Sequence, residues 1–477
     1  MIWETVIGLE VHAQLKTASK LFSGSATQYG ALANTQTNFI DAGLPGVLPV
    51  LNQKAVEMAI QFGLAIHAEI NDLSFFERKN YFYPDLPKGY QISQLQRPIV
   101  SNGHLMISYG ELEQTKKVII ERAHLEEDAG KSLHEAHPSY TGIDLNRAGT
   151  PLLEIVTTPC LTSAQEAISY LKTLHQLLRF LAICDGNMQE GSFRCDVNLS
   201  IKPQGSAQLG TRTELKNLNS FRFIEKAIAY EQNRHQELLE SGQIIQQQTR
   251  LYCPDTNTTH PMRDKENEND YRYFPDPDLL PIKITAETLA KIANNMPTLP
   301  DQLRKKLLEE DALASDDIEF LITSPALLRY YSAVKHKSQT PPKTIVNWLK
   351  GTYTAALNEQ GLDFDQAPVS PERFSCLLDR VTQNSVSVKI AKQIFAKLMT
   401  TTLEVDEIIA AEGYQQVNDT AMLYKLIVET IANYPQQAAD YRAGKEKLLS
   451  FFVGQIMKKT QGQASPDEVN RLLKHYL

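Results

Sequence analysis

The sequence predicts an α+β protein, and three observations carry that prediction. Up to about residue 290, runs with strand alternation are separated by turn dipeptides such as Asn102-Gly103, Asp185-Gly186 and Asp276-Pro277, the texture of a largely antiparallel sheet. After about residue 294 the periodicity turns helical, with start signals at Ser324-Pro325, Ser370-Pro371 and the capping box Ser465-Pro466-Asp467-Glu468. A chain of 477 residues is also too long for one core, so two to four domains are expected. The expected division is a sheet-based cradle over 1–293, a helical domain over 294–405 and a helical tail over 406–477.

The elements follow in chain order. VIGLEVHAQL alternates, putting Val6, Gly8, Glu10, His12 and Gln14 on one side of a strand and Ile7, Leu9, Val11, Ala13 and Leu15 on the other. FERKNYFYPDLPKGYQISQ, with two prolines, reads as a loop carrying Arg78, Lys79 and Lys88 among Tyr81, Tyr83 and Tyr90. Ser163-Ala164-Gln165-Glu166 is a capping box that opens a helix running through YLKTLHQLLRFL. SFRCDVNLSIK repeats the strand device, with Arg194, Asp196, Asn198, Ser200 and Lys202 opposite Phe193, Cys195, Val197, Leu199 and Ile201. In GTRTELKNLNS, Arg212, Glu214 and Lys216 stand at strand spacing and face one way. Helices are therefore expected to cover one face of the sheet and leave a polar face open.

With 48 Lys and Arg against 56 Asp and Glu, the formal charge of -8 argues against a protein that coats nucleic acid non-specifically. Residues 434–477 reverse the balance with seven basic against four acidic residues, which favours an anionic partner there, RNA or else plain solvent. No apolar run of 18 residues occurs, and the start MIWETVIGLEVH is acidic where a signal peptide would be basic, so a cytoplasmic protein without membrane contact is expected. The five cysteines form no C-x-x-C pair and read as small buried hydrophobes in a reducing compartment.

The stretch HLEEDAGKSLH carries the chemistry. Gly130-Lys131-Ser132 matches the end of a phosphate-binding loop, but Leu125 stands where its first glycine must be and the adjacent acids would repel phosphate. Any phosphate chemistry here needs a cation first. Either His124 with Glu126, or Glu121 with Glu127, come to a common side of the strand, depending on where it ends. Glu10 and His12 share a face, and Glu154 stands alone in the apolar run LLEIV, where an unpartnered charge is costly. Carboxylates without cysteine point to a hard ion, Mg²⁺ rather than Zn²⁺, with His12 as a ligand or a supporting group. Cationic side chains in the same cleft suit phosphoryl transfer, with a structural ion-pair network as the competing reading. Kinase, dinucleotide-binding, hydrolase-elbow and glutaminase signatures are all missing, so release of ammonia from an amide by this chain is not expected.

Taken together, GLEVHAQLKTASKLFSG, GLPGVLPVLN, RKNYFYPDLPKGYQISQ, HLEEDAGKS, DLNRAGTPLLEIVTTP, EGSFRCDVNLSI, GTRTELKNLNSFRF and DYRYFPDPDLLPI resemble the B subunits of bacterial aspartyl/glutamyl-tRNA(Asn/Gln) amidotransferases. GKEKLLSFFVGQIMKKTQGQASPDEVNRLL resembles their carboxy-terminal, YqeY-like module, which is shared with small stand-alone proteins. The resemblance implies an amino-terminal catalytic cradle similar to glutamine synthetase-type folds and a helical tail that contacts tRNA. It implies ATP-dependent phosphorylation of the side-chain carboxylate of Glu or Asp mischarged on tRNA(Gln) or tRNA(Asn). Ammonia from a partner amidase subunit then displaces the phosphate, and a small third subunit completes a heterotrimer. Carried over residue by residue, it puts Glu10, His12, Glu127 and Glu154 at the metal site, and Lys79, Lys88, Asp196 and Glu214 along the polar route or near the phosphoryl site. It offers no readable pocket for the nucleotide base.

One departure stands out. Many members carry C-x-C after K-L-F and C-x-x-C before G-L-P-G, forming a zinc site, where this chain has Phe22-Ser23-Gly24-Ser25 and Asn38-Phe39-Ile40-Asp41. The expected cofactors are therefore ATP and Mg²⁺ without zinc, and packing or hydrogen bonds must hold that loop. Two other readings compete: a non-catalytic tRNA-docking scaffold, and a ligase for free glutamate that leaves the basic tail unexplained.

Overall fold

The computed structural model describes residues 2–110, 114–134, 139–264, 268–414, 420–460, 464 and 466–477. They form two compact units, Met1–Pro300 and Asp301–Leu477. The first is built on a nine-stranded sheet in the order Thr258–Asp264, Gln248–Cys253, Thr213–Lys216, Phe193–Pro203, Trp3–Gln14, Pro151–Thr157, Gln114–Glu127, Val100–Tyr109 and Glu69–Ile70. All neighbours are antiparallel except Thr213–Lys216 and Gln248–Cys253.

The alternation read from the sequence decides the two faces. Ile7, Leu9, Val11 and Ala13 join Phe193, Cys195, Val197, Leu199, Leu153 and Ile155 in one buried cluster. That cluster is completed by apolar residues of the helices Gln53–Ala65, Ala164–Phe180 and Phe221–Glu240. Ser163 caps the second helix by accepting from the Glu166 amide, while Glu166 folds back onto the Thr162 amide at 2.8 Å. FERKNYFYPDLPKGYQISQ is less loop-like than expected: Glu77–Asn80 and Tyr90–Ser93 pair as a hairpin, and Phe274–Pro275 adds a third strand. Backbone pairing is possible because the two prolines, Pro84 and Pro87, fall in the connection between the strands.

A buried ionic cluster fastens the helix Phe221–Glu240 to the sheet. Glu231 and His235 are fully buried; Glu231 accepts from Arg234 Nε at 2.7 Å and Thr259 Oγ1 at 2.7 Å, and His235 Nε2 lies 2.5 Å from Thr213 Oγ1. Burial alone would raise the Glu231 pKa, but hydrogen bonds from His235, Arg234 and Thr259 outweigh it and hold the carboxyl at about 2. A depressed folded pKa stabilises the protein above the unfolded value of 4.5, and this contribution is lost as pH falls towards 2. Glu231→Gln is expected to cost about 3 kcal/mol at pH 7. Denaturant melts at pH 7 and near pH 3 check it: the gap to wild type should shrink at the lower pH, and an equal gap at both would refute the assignment.

The second unit is helical. Ser370 caps Pro371–Thr382 through the Arg373 amide, whereas Ser324 precedes Pro325–Lys337 without a side-chain cap bond. Ser465 of the expected capping box lies outside the described residues, and the helix after it runs Pro466–Tyr476. Leu423, Ile427, Phe452, Ile456, Val469 and Leu473 form a core of their own near the carboxy terminus. Among the described residues no helix is long and apolar enough to cross a membrane.

Candidate active site

The open face of the sheet becomes a cavity of about 700 Å³, lined among others by Glu10, His12, Lys79, His124, Glu154, Asp196, Glu214, Lys216, Tyr271 and Tyr273. Strand register makes it. His12 stands opposite Glu154 on one side and Arg194 on the other, and Glu154 stands opposite His124. Directly opposed residues on antiparallel strands have Cβ atoms about 5 Å apart, so side chains far apart in sequence meet in one row. His12 Nε2 lies 3.4 Å from Glu154 Oε2 and 3.7 Å from Glu126 Oε1, and His124 Nε2 lies 3.4 Å from Glu154 Oε2.

One row along, Glu10 faces Asp196, and Asn198 faces Glu214. Asn198 Nδ2 donates to Glu10 Oε1 at 2.7 Å, and Thr249 Oγ1 donates to Glu214 Oε2 at 2.6 Å. Lys216 pairs with Asp196 and lies 3.5 Å from Glu214 Oε1.

Two groups of candidate ligand atoms, each within 4.8 Å of one another, result: His12 with Glu126 and Glu154, and Glu10 with Asp196 and Glu214. Mg²⁺ binds oxygen at about 2.1 Å and so spans about 4.2 Å between opposed ligands, a spacing that both groups approach. The donor chemistry, mostly carboxylate with one imidazole and no thiolate, agrees with Mg²⁺.

The four residues expected at a metal, Glu10, His12, Glu127 and Glu154, do not all come together. Glu10 does not join His12 but the second group, because two residues along a strand is a step of about 6.6 Å while Asp196 is directly across. Glu127 joins neither group. Pairing skips Glu121, with Val156 opposite Arg122 and Thr157 opposite Ile120, so the alternation shifts there: Val118 and Ile120 are in the core, then Ala123 and Leu125. His124 therefore lines the cavity and Glu126 lies beside His12 on the same side, while Glu127 falls on the side of Ala123 and Leu125. There its carboxylate pairs with Lys88 and accepts from the Ile92 amide at 2.9 Å.

The basic groups are distributed as follows. Lys79 enters the cavity from the strand Glu77–Asn80, with Nζ 5.0 Å from the centre of the Tyr271 ring. Lys88 stays with Glu127 and the Tyr90 ring. Arg78 ties the hairpin to Asp276 at 2.8 Å and Asp278 at 2.9 Å, which holds Tyr271 and Tyr273 over the cavity. At the deep end of the strand, Asp128 is gripped by Arg194 at 2.8 Å and Gln14 at 2.8 Å.

The electrostatics record the density of acids. Desolvation disfavours charge on His124, yet Glu154 and Glu126 raise its pKa to about 9. Against the same desolvation, hydrogen bonding to Glu154 and the two carboxylates raise His12, and Glu126, Tyr273 and Glu154 raise Lys79 well above the usual lysine value. Glu154 is driven well below the carboxylate range: burial opposes its charge, but His124 and His12 prevail. The pocket is thus a strongly negative well ready for cations.

Sequence reasoning missed Tyr271, Tyr273 and Gln94 as lining residues. The alternation of Tyr271 and Tyr273 in DYRYFPDPD was the available signal.

Comparison with known proteins supplies the relatives. A family model described as the GatB/GatE catalytic domain matches residues 5–290, and a GatB domain matches 329–477. A curated protein of Legionella pneumophila (strain Philadelphia 1), named as the B subunit of the aspartyl/glutamyl-tRNA(Asn/Gln) amidotransferase, is 65% identical over the whole of both chains. Proteins of the same name from Nitrosococcus oceani and Coxiella burnetii (strain CbuG_Q212) are 55% and 52% identical, again over the full length of each.

Proposed function

This chain belongs to the GatB/GatE family of tRNA-dependent amidotransferase subunits, and from that premise we propose that its cavity is where the carboxylate of a mischarged aminoacyl-tRNA is activated. The activity is a carbon–nitrogen ligase reaction with glutamine as nitrogen donor, acting on Glu-tRNA(Gln) or Asp-tRNA(Asn). The observation that carries the cavity reading is the pair of acid clusters facing cationic Lys79 and Lys216 across one sheet face.

The chemistry needs two steps. A carboxylate oxygen attacks the γ-phosphorus of ATP, the bond from that phosphorus to the β–γ bridging oxygen breaks, and ADP leaves with the electron pair. Ammonia then attacks the acyl carbon of the acyl phosphate, loses a proton, and inorganic phosphate departs. Phosphate is a good leaving group where oxide is not. Bound Mg²⁺ would neutralise phosphate charge that the acids alone would repel. His12, Glu126 and Glu154 are the residues to hold one ion, and Glu10, Asp196 and Glu214 a second. Lys79 presents a fixed positive charge to the migrating phosphoryl group, and Lys216 with Arg212 does so at the other end. Tyr271 and Tyr273 exclude water from that side.

Lys88, paired with Glu127, belongs to the polar route by which ammonia reaches the acyl phosphate. An amidase subunit supplies the ammonia, and exposed apolar residues near Lys88, among them Phe39, Leu44 and Phe82, support its seating on this side. A small third subunit completes the assembly. The separate core near the carboxy terminus supports a YqeY-like tail beginning near residue 406, and its basic excess supports tRNA contact. A cradle of the glutamine synthetase kind ending near residue 293, a cytoplasmic location and the lack of zinc complete the reading.

ATP turnover tests it. The purified chain with its partner subunits and Mg²⁺ is offered Glu-tRNA(Gln), uncharged tRNA(Gln) or free glutamate. ADP that appears only with the mischarged tRNA is expected. Turnover on free glutamate would replace the substrate class, and tRNA binding without any turnover would make the clusters scaffold.

A further inference from the structure

Between the strand Trp3–Gln14 and the helix Gln53–Ala65 the chain runs without a strand or helix, and a segment of that length inside a compact unit must be fastened by side chains. Leu21 and Phe22 enter the core, and beside them the fastening is a buried ion pair. The side chains of Lys20 and Asp41 are 0% and 2% exposed and meet at 3.0 Å. Asp41 also accepts from Ser23 Oγ at 2.7 Å and from the Asn38 amide at 3.0 Å. Lys20 Nζ donates a second time, to the Leu145 carbonyl at 3.1 Å. The two short stretches that the sequence singles out, Phe22 to Ser25 and Asn38 to Asp41, are thereby tied to each other and to the turn that leads into Pro151–Thr157.

The tie continues to the site. Asn38 organises a turn, its side chain accepting from the Ile40 amide at 2.9 Å and the Asp41 amide at 3.2 Å, and this turn delivers Gly43 at φ +65° against Lys88. A Cβ on Gly43 would come within 2.9 Å of Lys88 Cγ and 3.1 Å of its backbone nitrogen, so the glycine backbone is the wall behind that lysine. On the far side Lys88 meets Glu127. Gly149 makes the matching approach to the pair, where a Cβ would stand 3.0 Å from Asp41 Oδ1. Burial pushes the Lys20 ammonium down, and Asp41, Glu127 and Asp144, the acids that face it, oppose that push; the field of Lys20 thus reaches the carboxylate that holds Lys88.

We propose that Lys20 and Asp41 are a positioning pair for Lys88: the buried pair fixes the turn Asn38 to Gly43, and that turn presses Lys88 onto Glu127. Neither residue touches a reacting atom. The role of Lys88 rests on the function proposed above, whereas its position does not, and the test keeps the two apart.

The full-length chain, wild type and Asp41→Asn, is treated with an amine-acetylating reagent, and modification of each lysine is timed by mass spectrometry, with exposed Lys54 and the cavity's Lys79 as internal references. Asp41→Asn is expected to speed acetylation of Lys88 at least fivefold with both references unchanged, and amidation in the assembled complex is expected to fall by a similar factor at unchanged ATP affinity. Ser23→Ala, which removes one hydroxyl from Asp41 and leaves the ion pair, should give a smaller change in the same direction and keeps the test open if Asp41→Asn does not fold. A lowered melting temperature with Lys88 acetylation as in wild type would reduce the pair to a staple and overturn the proposal. Full amidation activity in Lys88→Ala would refute the role given to Lys88 while leaving the labelling result to judge the positioning.

Discussion

Glu154→Gln is expected to lower ATP-dependent amidation by about 10³-fold, the scale seen when one preorganised charge is removed from a site of this type. Glu154 is the carboxylate that both His12 and His124 approach, each at 3.4 Å, in a pocket where Lys79 also answers to its charge. A neutral amide keeps the shape and removes the anion. The effect should appear in kcat as well as in Mg²⁺ affinity, because in the proposed mechanism the residue holds charge beside the migrating phosphoryl group rather than merely binding substrate. Binding of tRNA should be unchanged. Steady-state amidation with a Mg²⁺ titration checks this, and wild-type activity in the variant would remove the metal site from the mechanism.

The second large effect is a contrast between neighbours. Glu126→Gln is expected to match Glu154→Gln in loss of Mg²⁺ affinity, since Glu126 lies 3.7 Å from His12 in the same group. Glu127→Gln should leave Mg²⁺ affinity near wild type and instead release Lys88, whose ammonium pairs with that carboxylate. Calorimetric titration of Mg²⁺ into the two variants decides between them. Loss of Mg²⁺ binding in Glu127→Gln with retention in Glu126→Gln would reverse the assignment and restore the set expected from the resemblance.

That contrast also shows how far the sequence could be read. The strand faces were legible, because period-two alternation in VIGLEVHAQL and SFRCDVNLSIK leaves one arrangement that buries Ile7, Leu9, Val197 and Leu199. The helix start at Ser163 was legible for a similar local reason, and Glu154 drew notice as a charge inside LLEIV. The side on which HLEED presents its acids was not legible. A single skipped residue, Glu121, inverts the alternation for everything after it, and that irregularity lies in the pairing with Pro151–Thr157. The resemblance names Glu127, whereas the pairing brings Glu126 beside His12 and Glu154.

By itself the sequence determined the α+β class, the polar and apolar faces of the central strands and the kinds of side chain available for catalysis. These follow from local periodicity and residue chemistry, which do not depend on what lies across the sheet. Only the tertiary structure decided which acids stand together. It split Glu10 from His12 across two groups and set His124 beside Glu154. It also brought Tyr271 and Tyr273 over Lys79 and joined Lys20 to Asp41 behind Lys88. Each of these is a cross-strand or loop-to-loop contact between residues distant in the chain, fixed by hydrogen-bond register and packing to within an ångström, and spacing along one strand carries no record of its partner's register.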